Sequence, residues 1–242
     1  MKPNMFKYKK LIQVLFSIFL LFLINTNFAY ADKIEQNKIE VIIKKFLLNN
    51  PELIKSSLEN YEITQEIKKK QNAIELLNIS NNPRLLQKNA DITIFEFFDY
   101  NCGYCKSVVK LLLDTINEDK KINLVFVEFP ILSEDSYTAS LAALAAEKQN
   151  LYSQFHISLM KVRGRINEKQ IFKTAKEVGL NINKLKLDME SPDIQLILKT
   201  NREVAKLLQL NGTPAFIIGD VIYPGAIKKD QLKKAIKLYR KS

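Results

Sequence analysis

The chain has 242 residues but only two cysteines and one histidine. A structural zinc site takes about four Cys or His ligands, so that reading is excluded. A multi-bridge disulfide framework is excluded too, because Cys102 and Cys105 can pair only with each other. Residues 33–80 hold no glycine and a single proline, Pro51, which argues against turns and for helix. No segment interleaves Arg with aromatics as a nucleic-acid surface does, and no internal repeat is present. With 47% hydrophobic residues the chain is not disordered. It suffices for one good core and a smaller accessory segment.

The first 31 residues carry the three parts of a secretory signal. Lys2, Lys7, Lys9 and Lys10 give a positive start, Leu11 to Ile24 an apolar run, and Ala29-Tyr30-Ala31 a small-x-small cleavage site. The apolar run is about fourteen residues, short of the roughly twenty that span a membrane. No Cys follows it to carry a lipid. Cleavage after Ala31 would leave Asp32 first and remove four lysines and no acids, taking the net charge from +11 to +7. The remaining lysines are spread along helical stretches and read as a solvated basic surface.

Export places the two cysteines in an oxidising compartment, where thiols are normally paired. A bridge between residues three apart restrains the unfolded chain very little. Chemistry is therefore a better reason for the pair than stability.

Residues 32–82 read as a helical arm. Ile39, Ile42, Ile43, Phe46 and Leu47 form one apolar stripe, and Ile63, Ile67, Ile74 and Leu77 another. Asn50-Pro51 between them reads as an N-cap and first helical residue, giving helices of roughly 34–48 and 51–79. The stripes need a partner, either the main domain or another copy of the chain. Asn81-Asn82-Pro83 marks the expected boundary to a second domain, 83–242.

That domain opens on the strand Ile92 to Phe98, with Cys102 a few residues on, a helix from Lys106 to Asn117, and an apolar strand from Ile122 to Phe129. Strand, helix and strand in about forty residues read as a right-handed βαβ unit with a parallel pair. Residues of about 133–210 are helical by pattern and too long for one crossover, so they read as a helical insertion. Ala215 to Ile218 and Val221 to Tyr223 flank Gly219-Asp220 as a hairpin, and Lys228 to Arg240 closes the chain as an amphipathic helix.

The chemistry concentrates in residues 96–105, EFFDYNCGYC. A Cys-x-x-Cys at a strand-to-helix junction places the first thiol, Cys102, exposed at a helix N-terminus, where free N–H groups and the dipole favour its thiolate. Cys105, one turn in, is placed to resolve a mixed disulfide held on Cys102. Two thiolates would also satisfy Cu(I), so a copper-handling protein stays open. Glu96 stands in an apolar strand, either turned to solvent or buried as an acid or base serving Cys105. In Gly212-Thr213-Pro214 the proline opens a strand, and the residues alone favour an ordinary trans bond. His156, within the helical insertion, reads as structural.

These residues resemble the bacterial DsbA-like thiol:disulfide oxidoreductases of the thioredoxin superfamily, over about residues 90–240. The matches are Glu96 six residues before the first Cys, Cys102-Gly103-Tyr104-Cys105 at the active-site position, and Gly212-Thr213-Pro214. The resemblance implies an α/β thioredoxin-like fold with an inserted helical subdomain. It implies a redox-active Cys102/Cys105 disulfide, a buried Glu96, and a cis Pro214 that with Thr213 lines the substrate site. It implies disulfide transfer to reduced or misoxidised exported proteins in the periplasm, a membrane redox partner that resets the pair, and no dissociable cofactor or metal. One departure is Gly103-Tyr104, where oxidases of this group carry Pro-His. Losing the His removes a thiolate-stabilising group, and Gly-Tyr looks more like the DsbC-type isomerases. The arm, with Phe46-Leu47-Leu48-Asn49-Asn50-Pro51-Glu52, resembles the N-terminal extension of ScsC-like members, some of which assemble through it. A homo-oligomer through 32–82 would suit an isomerase.

Overall fold

The computed structural model describes residues 37–241, together with Phe16. The expected signal segment and its cleavage site lie outside the described residues. The chain divides into two compact units, Met1–Gln65 and Glu66–Ser242.

In its described part the first unit consists of helix α1, residues 37–49, and the first half of α2, Pro51–Ile79. Pro51 takes the first position of α2, where a missing N–H costs nothing. Asn50, expected as the N-cap of α2, turns its side chain the other way and donates to the Phe46 carbonyl at 2.7 Å. Ile39, Ile42, Ile43 and Phe46 are between 51% and 66% exposed. The apolar stripe of α1 is thus present and uncovered in a single copy.

The division between the two compact units falls inside α2. The reason is burial: Ala73 and Leu77, near the end of α2, are fully buried in the second unit. Arg84 then caps the helix by donating to the carbonyls of Asn78 at 3.0 Å and Ser80 at 2.6 Å, satisfying groups the helix end leaves free. Leu77→Ala is expected to cost about 2–5 kcal/mol in urea unfolding, the usual loss for deleting a fully buried leucine side chain.

The second unit is built on a five-stranded sheet in the order β1-β3-β2-β4-β5. Its strands are β1 (Arg84–Leu85), β2 (Ile92–Phe98), β3 (Ile122–Glu128), β4 (Ala215–Ile218) and β5 (Val221–Pro224). β2 and β3 pair in parallel across α3 (Gly103–Glu118), as the βαβ pattern predicts. β4 pairs antiparallel with β2, and β5 with β4 across the expected hairpin. β1, only two residues long, was not legible in the sequence. It adds antiparallel to β3.

β2 and β3 are buried on both faces, which is why they read as continuous apolar runs rather than alternating ones. Ile92, Ile94, Phe98, Ile122, Leu124 and Phe126 share one core with α3 and the helical insertion; Phe95, Phe97, Val125 and Val127 share the other with Ala73, Leu77 and Val204. The long helical stretch resolves into α4 (Glu134–Glu147), α5 (Tyr152–Lys161), α6 (Glu168–Glu177), α7 (Ile182–Met189) and α8 (Pro192–Leu207). Helix α9 (Lys229–Tyr239) closes the chain and packs Leu232, Ala235 and Ile236 into the first core. A buried amide pair ties the segment after α2 to α8: Asn82 Nδ2 donates to Asn201 Oδ1 at 2.8 Å, and Asn201 Nδ2 returns the bond at 2.9 Å.

Candidate functional site

The end of β2 leads through Asp99-Tyr100-Asn101 to Cys102, and this loop is fixed from several sides. The Asp99 carboxylate accepts the N–H groups of Asn101 at 2.7 Å, Ile131 at 2.9 Å and Leu132 at 3.0 Å. The Asn101 amide accepts the Ile166 N–H at 2.6 Å and donates to the Ile166 carbonyl at 3.2 Å and to Ser133 Oγ at 3.1 Å. Lys106, just past the pair, donates to the carbonyls of Val162 at 2.9 Å and Gly164 at 2.7 Å. The insertion therefore braces the cysteines on both sides, so that their spacing does not depend on a free loop.

Cys102 is itself the N-cap of α3, its Sγ accepting the Cys105 N–H at 3.2 Å. A sulfur in that position faces the free N–H groups and positive end of the helix dipole. The same Sγ lies 3.3 Å from the Thr213 carbonyl oxygen, and the Thr213-Pro214 bond is cis. Expected to be exposed, Cys102 is only 6% exposed. Its sulfur folds back onto the helix end beneath the 213–214 loop, whereas the neighbouring Tyr104 is 72% exposed. Cys105 is fully buried in the first turn. Both cysteines are thiols in this structure.

The two thiols differ in acidity. A hydrogen bond from Cys105 draws the Cys102 thiol down to about 6, with Thr213 and the N–H groups of Cys105 and Tyr104 acting the same way against the effect of burial. Burial, reinforced by the bond to Cys102, pushes the Cys105 thiol far up. At neutral pH the arrangement presents one thiolate and, behind it, one protonated thiol. Even without a His between the cysteines, Cys102 is thus more acidic than a free thiol at about 8.5.

Glu96 is fully buried on β2, so the solvent-facing alternative fails. Its place between Ile94 and Phe98 on the even-numbered positions turns it toward the core shared with α3. Neither carboxyl oxygen finds a hydrogen-bond partner among the described residues. Burial first, then the charges of Glu128 and Cys102, raise Glu96 to about 8, so at neutral pH it holds a proton it can give up.

A further polar cluster escaped sequence reasoning. Glu128 Oε1 accepts the hydroxyls of Tyr100 and Tyr152, each at 2.9 Å, and Oε2 accepts Ser140 Oγ at 2.7 Å. His156 Nδ1 lies 3.0 Å from the Tyr100 hydroxyl, and its ring stacks on Tyr152 at 5.6 Å. Burial lowers His156 to about 3 and keeps it neutral. These residues lie up to 56 positions apart, and the chain order gives no signal that they meet. Among the described residues, no three His, Cys, Asp or Glu side chains gather as metal ligands.

The profile of the DSBA-like thioredoxin domain family matches residues 93–237. A curated relative, a probable disulfide bond formation protein D from Bacillus anthracis, is 27% identical over 190 residues, covering 73% of this chain and 85% of its own. Among solved structures, a thioredoxin-like oxidoreductase from Silicibacter pomeroyi DSS-3 is 39% identical with a TM-score of 0.67, covering 69% of this chain and 96% of its own. A linker-deletion mutant of Proteus mirabilis ScsC is 27% identical with a TM-score of 0.67, covering 86% of this chain and 96% of its own.

Proposed function

Because the chain belongs to the DSBA-like thioredoxin domain family and is a protein-disulfide oxidoreductase, we propose that it works in the periplasm, forming disulfide bonds in exported proteins through Cys102 and Cys105. The observation that carries this reading is the Cys102 sulfur seated at the N-terminus of α3, with Cys105 one turn behind it and the Thr213 carbonyl beside it. The secretory signal supplies the location, and cleavage after Ala31 leaves the arm of residues 32–82 ahead of the domain of residues 83–242.

In the oxidised protein Cys102 and Cys105 share a disulfide. A substrate thiolate attacks Cys102 Sγ, the Cys102–Cys105 bond breaks, and Cys105 leaves with the electron pair and takes a proton from Glu96. Thr213 and Pro214 line the place where the substrate backbone lies. A second substrate thiolate then attacks the substrate sulfur of the mixed disulfide and releases the Cys102 thiolate. The substrate has lost two electrons and the protein has gained them. A membrane redox partner removes them and restores the disulfide, and no dissociable cofactor enters the cycle. Purified residues 32–242, cycled with dithiothreitol, are expected to promote the precipitation of insulin by cleaving its interchain disulfides. Insulin that stays soluble contradicts the reading.

A second reading, an oligomeric disulfide isomerase, is favoured by the uncovered stripe of α1, where Ile39, Ile42, Ile43 and Phe46 stay more than half exposed. Exposed apolar area of this kind marks an interface. Joining copies through the arm would set several Cys102 sites around a shared space, which suits rearranging wrong disulfides. The mature protein is then expected to show a multiple of the monomer mass by light scattering, and to become monomeric when residues 32–65, the part of the arm outside the second unit, are removed. A monomer in both forms rules out the oligomer.

A further inference from the structure

Glu128 ends β3 on the same side of the sheet as Glu96. Ile122, Leu124 and Phe126 share one core with Ile94 and Phe98, and residues two apart on a strand face the same way. The parallel register sets Glu96 opposite Phe126 and Phe98 opposite Glu128. The two acids are therefore one diagonal step apart, about 7–8 Å between backbone positions, a separation across which long side chains on neighbouring strands interact.

The two carboxyls have opposite surroundings. Glu96 has no hydrogen-bond donor among the described residues, whereas Glu128 has three hydroxyls directed at it, from Tyr100, Tyr152 and Ser140. A tyrosine hydroxyl has one proton, and the Tyr100 proton is committed to Glu128. When Glu128 is ionised, His156 then presents Nδ1–H to the Tyr100 oxygen, and the chain of donors runs from His156 through Tyr100 to Glu128. Burial raises Glu128 to about 8 against the pull of its three hydroxyls, so the two acids titrate as a pair. When one of them ionises, the charge settles on the carboxyl that has donors and opposes ionisation of its neighbour. The other titratable groups around the pair are Asp99, whose carboxylate is taken up by three backbone N–H groups, Cys102 and Cys105 on α3, and Tyr152 and His156 on α5. From β4, the residue opposite Glu96 is the apolar Phe216.

We propose that Glu128 is a positioning residue for the exchange chemistry: given three donors by Tyr100, Tyr152 and Ser140, it takes the charge when one of the two acids ionises, and so keeps a proton on Glu96 until Cys105 takes it. The inference rests on the reading of Glu96 as the proton donor to Cys105. As the disulfide opens, the leaving Cys105 thiolate becomes a thiol and Glu96 becomes a carboxylate. When the disulfide is restored the proton returns, so none is gained or lost over a full cycle.

The test follows the proton on Glu96 directly. Infrared spectra of the oxidised full-length mature protein, recorded across the pH range, contain a protonated-carboxyl band assigned to Glu96 by its loss in Glu96→Gln. In Glu128→Gln the midpoint of that band is expected to fall by at least about one pH unit, the removal of one nearby buried charge. Tyr152→Phe removes one of the three donors to Glu128 while keeping the ring, and is expected to lower the midpoint by a smaller step in the same direction. A midpoint unmoved in both variants, or raised in either, overturns the role of Glu128. The measurement uses no substrate, so it stands apart from the insulin assay. A protein that shows the shift but leaves insulin soluble would keep the coupling and lose the exchange reading.

Discussion

Cys102→Ser is expected to lose insulin-reducing activity by at least about a thousandfold, because the hydroxyl that replaces the sulfur neither ionises near neutral pH nor forms a disulfide. The loss should come without a comparable loss of fold. Cys102 contributes a small side chain at the helix end, and a serine hydroxyl is a favoured N-cap that can accept the Cys105 N–H in its place. Cys105→Ser should behave differently. It leaves the attacking sulfur in place and removes the one that resolves, so a mixed disulfide between Cys102 and substrate is expected to accumulate and to be visible on a non-reducing gel. A Cys102→Ser protein with undiminished activity would sink the exchange mechanism. If Cys105→Ser turned over normally, resolution by the second sulfur would fall and attack by Cys102 would survive.

Glu96→Gln is expected to slow opening and closing of the disulfide by about 100-fold at pH 7, the lower end of what a positioned general acid or base supplies. The same substitution should alter stability in a way that depends on pH. An open-chain glutamate titrates near about 4.3, and burial raises Glu96 to about 8 in the folded protein. Its folded value is the higher one, so folding is most favoured where the group is protonated in both states. That contribution is lost as pH rises from about 4.3 to about 8, and no more is lost above that. Glutamine cannot ionise, so Glu96→Gln should gain on the parent protein across this window. The gain is about 1.4 kcal/mol for each tenfold fall in proton concentration, reaching a few kcal/mol near pH 8 as an upper bound. Thermal melts of both proteins at pH 5 and pH 8 check it. Equal pH dependence in the two would mean that Glu96 titrates as an ordinary exposed carboxylate.

The parts of this protein that are local in the chain could be read from it. The strand Ile92–Phe98, the cysteines three residues apart, the helix behind them and the hairpin at Gly219-Asp220 each announce themselves within about ten residues, because strand and turn chemistry act at that range. Helix α3 starts at Gly103 rather than at the predicted Lys106. The Cys102 sulfur does the capping, and standard N-cap preferences do not include cysteine. Glu96 could be picked out as an anomaly, but its direction could not be decided by alternation, since a strand covered on both faces has no polar side to point to. The Glu128 cluster could not be read at all. Its parts come from β3, the loop after β2, α4 and α5, and each looks unremarkable where it stands: an acid at a strand end, two tyrosines, a serine and a histidine in a helix. His156, read as structural, is placed by the fold against Tyr100 and Tyr152. The arm shows the opposite limit. Its apolar stripe was plain from residue spacing, and the structure leaves it exposed in a single copy.

The acidity and accessibility of the two thiols can be read together by alkylating the reduced protein with iodoacetamide at a series of pH values and locating the modified residue by peptide mass. If Cys102 is the attacking sulfur at the end of α3, its modification rate rises through a midpoint of about 6 and levels off above it. Cys105, fully buried behind it, reacts at least about 100-fold more slowly at pH 7, since only thiolates are nucleophilic. Equal labelling of the two cysteines, or a Cys102 midpoint near the ordinary thiol value of about 8.5, would contradict it.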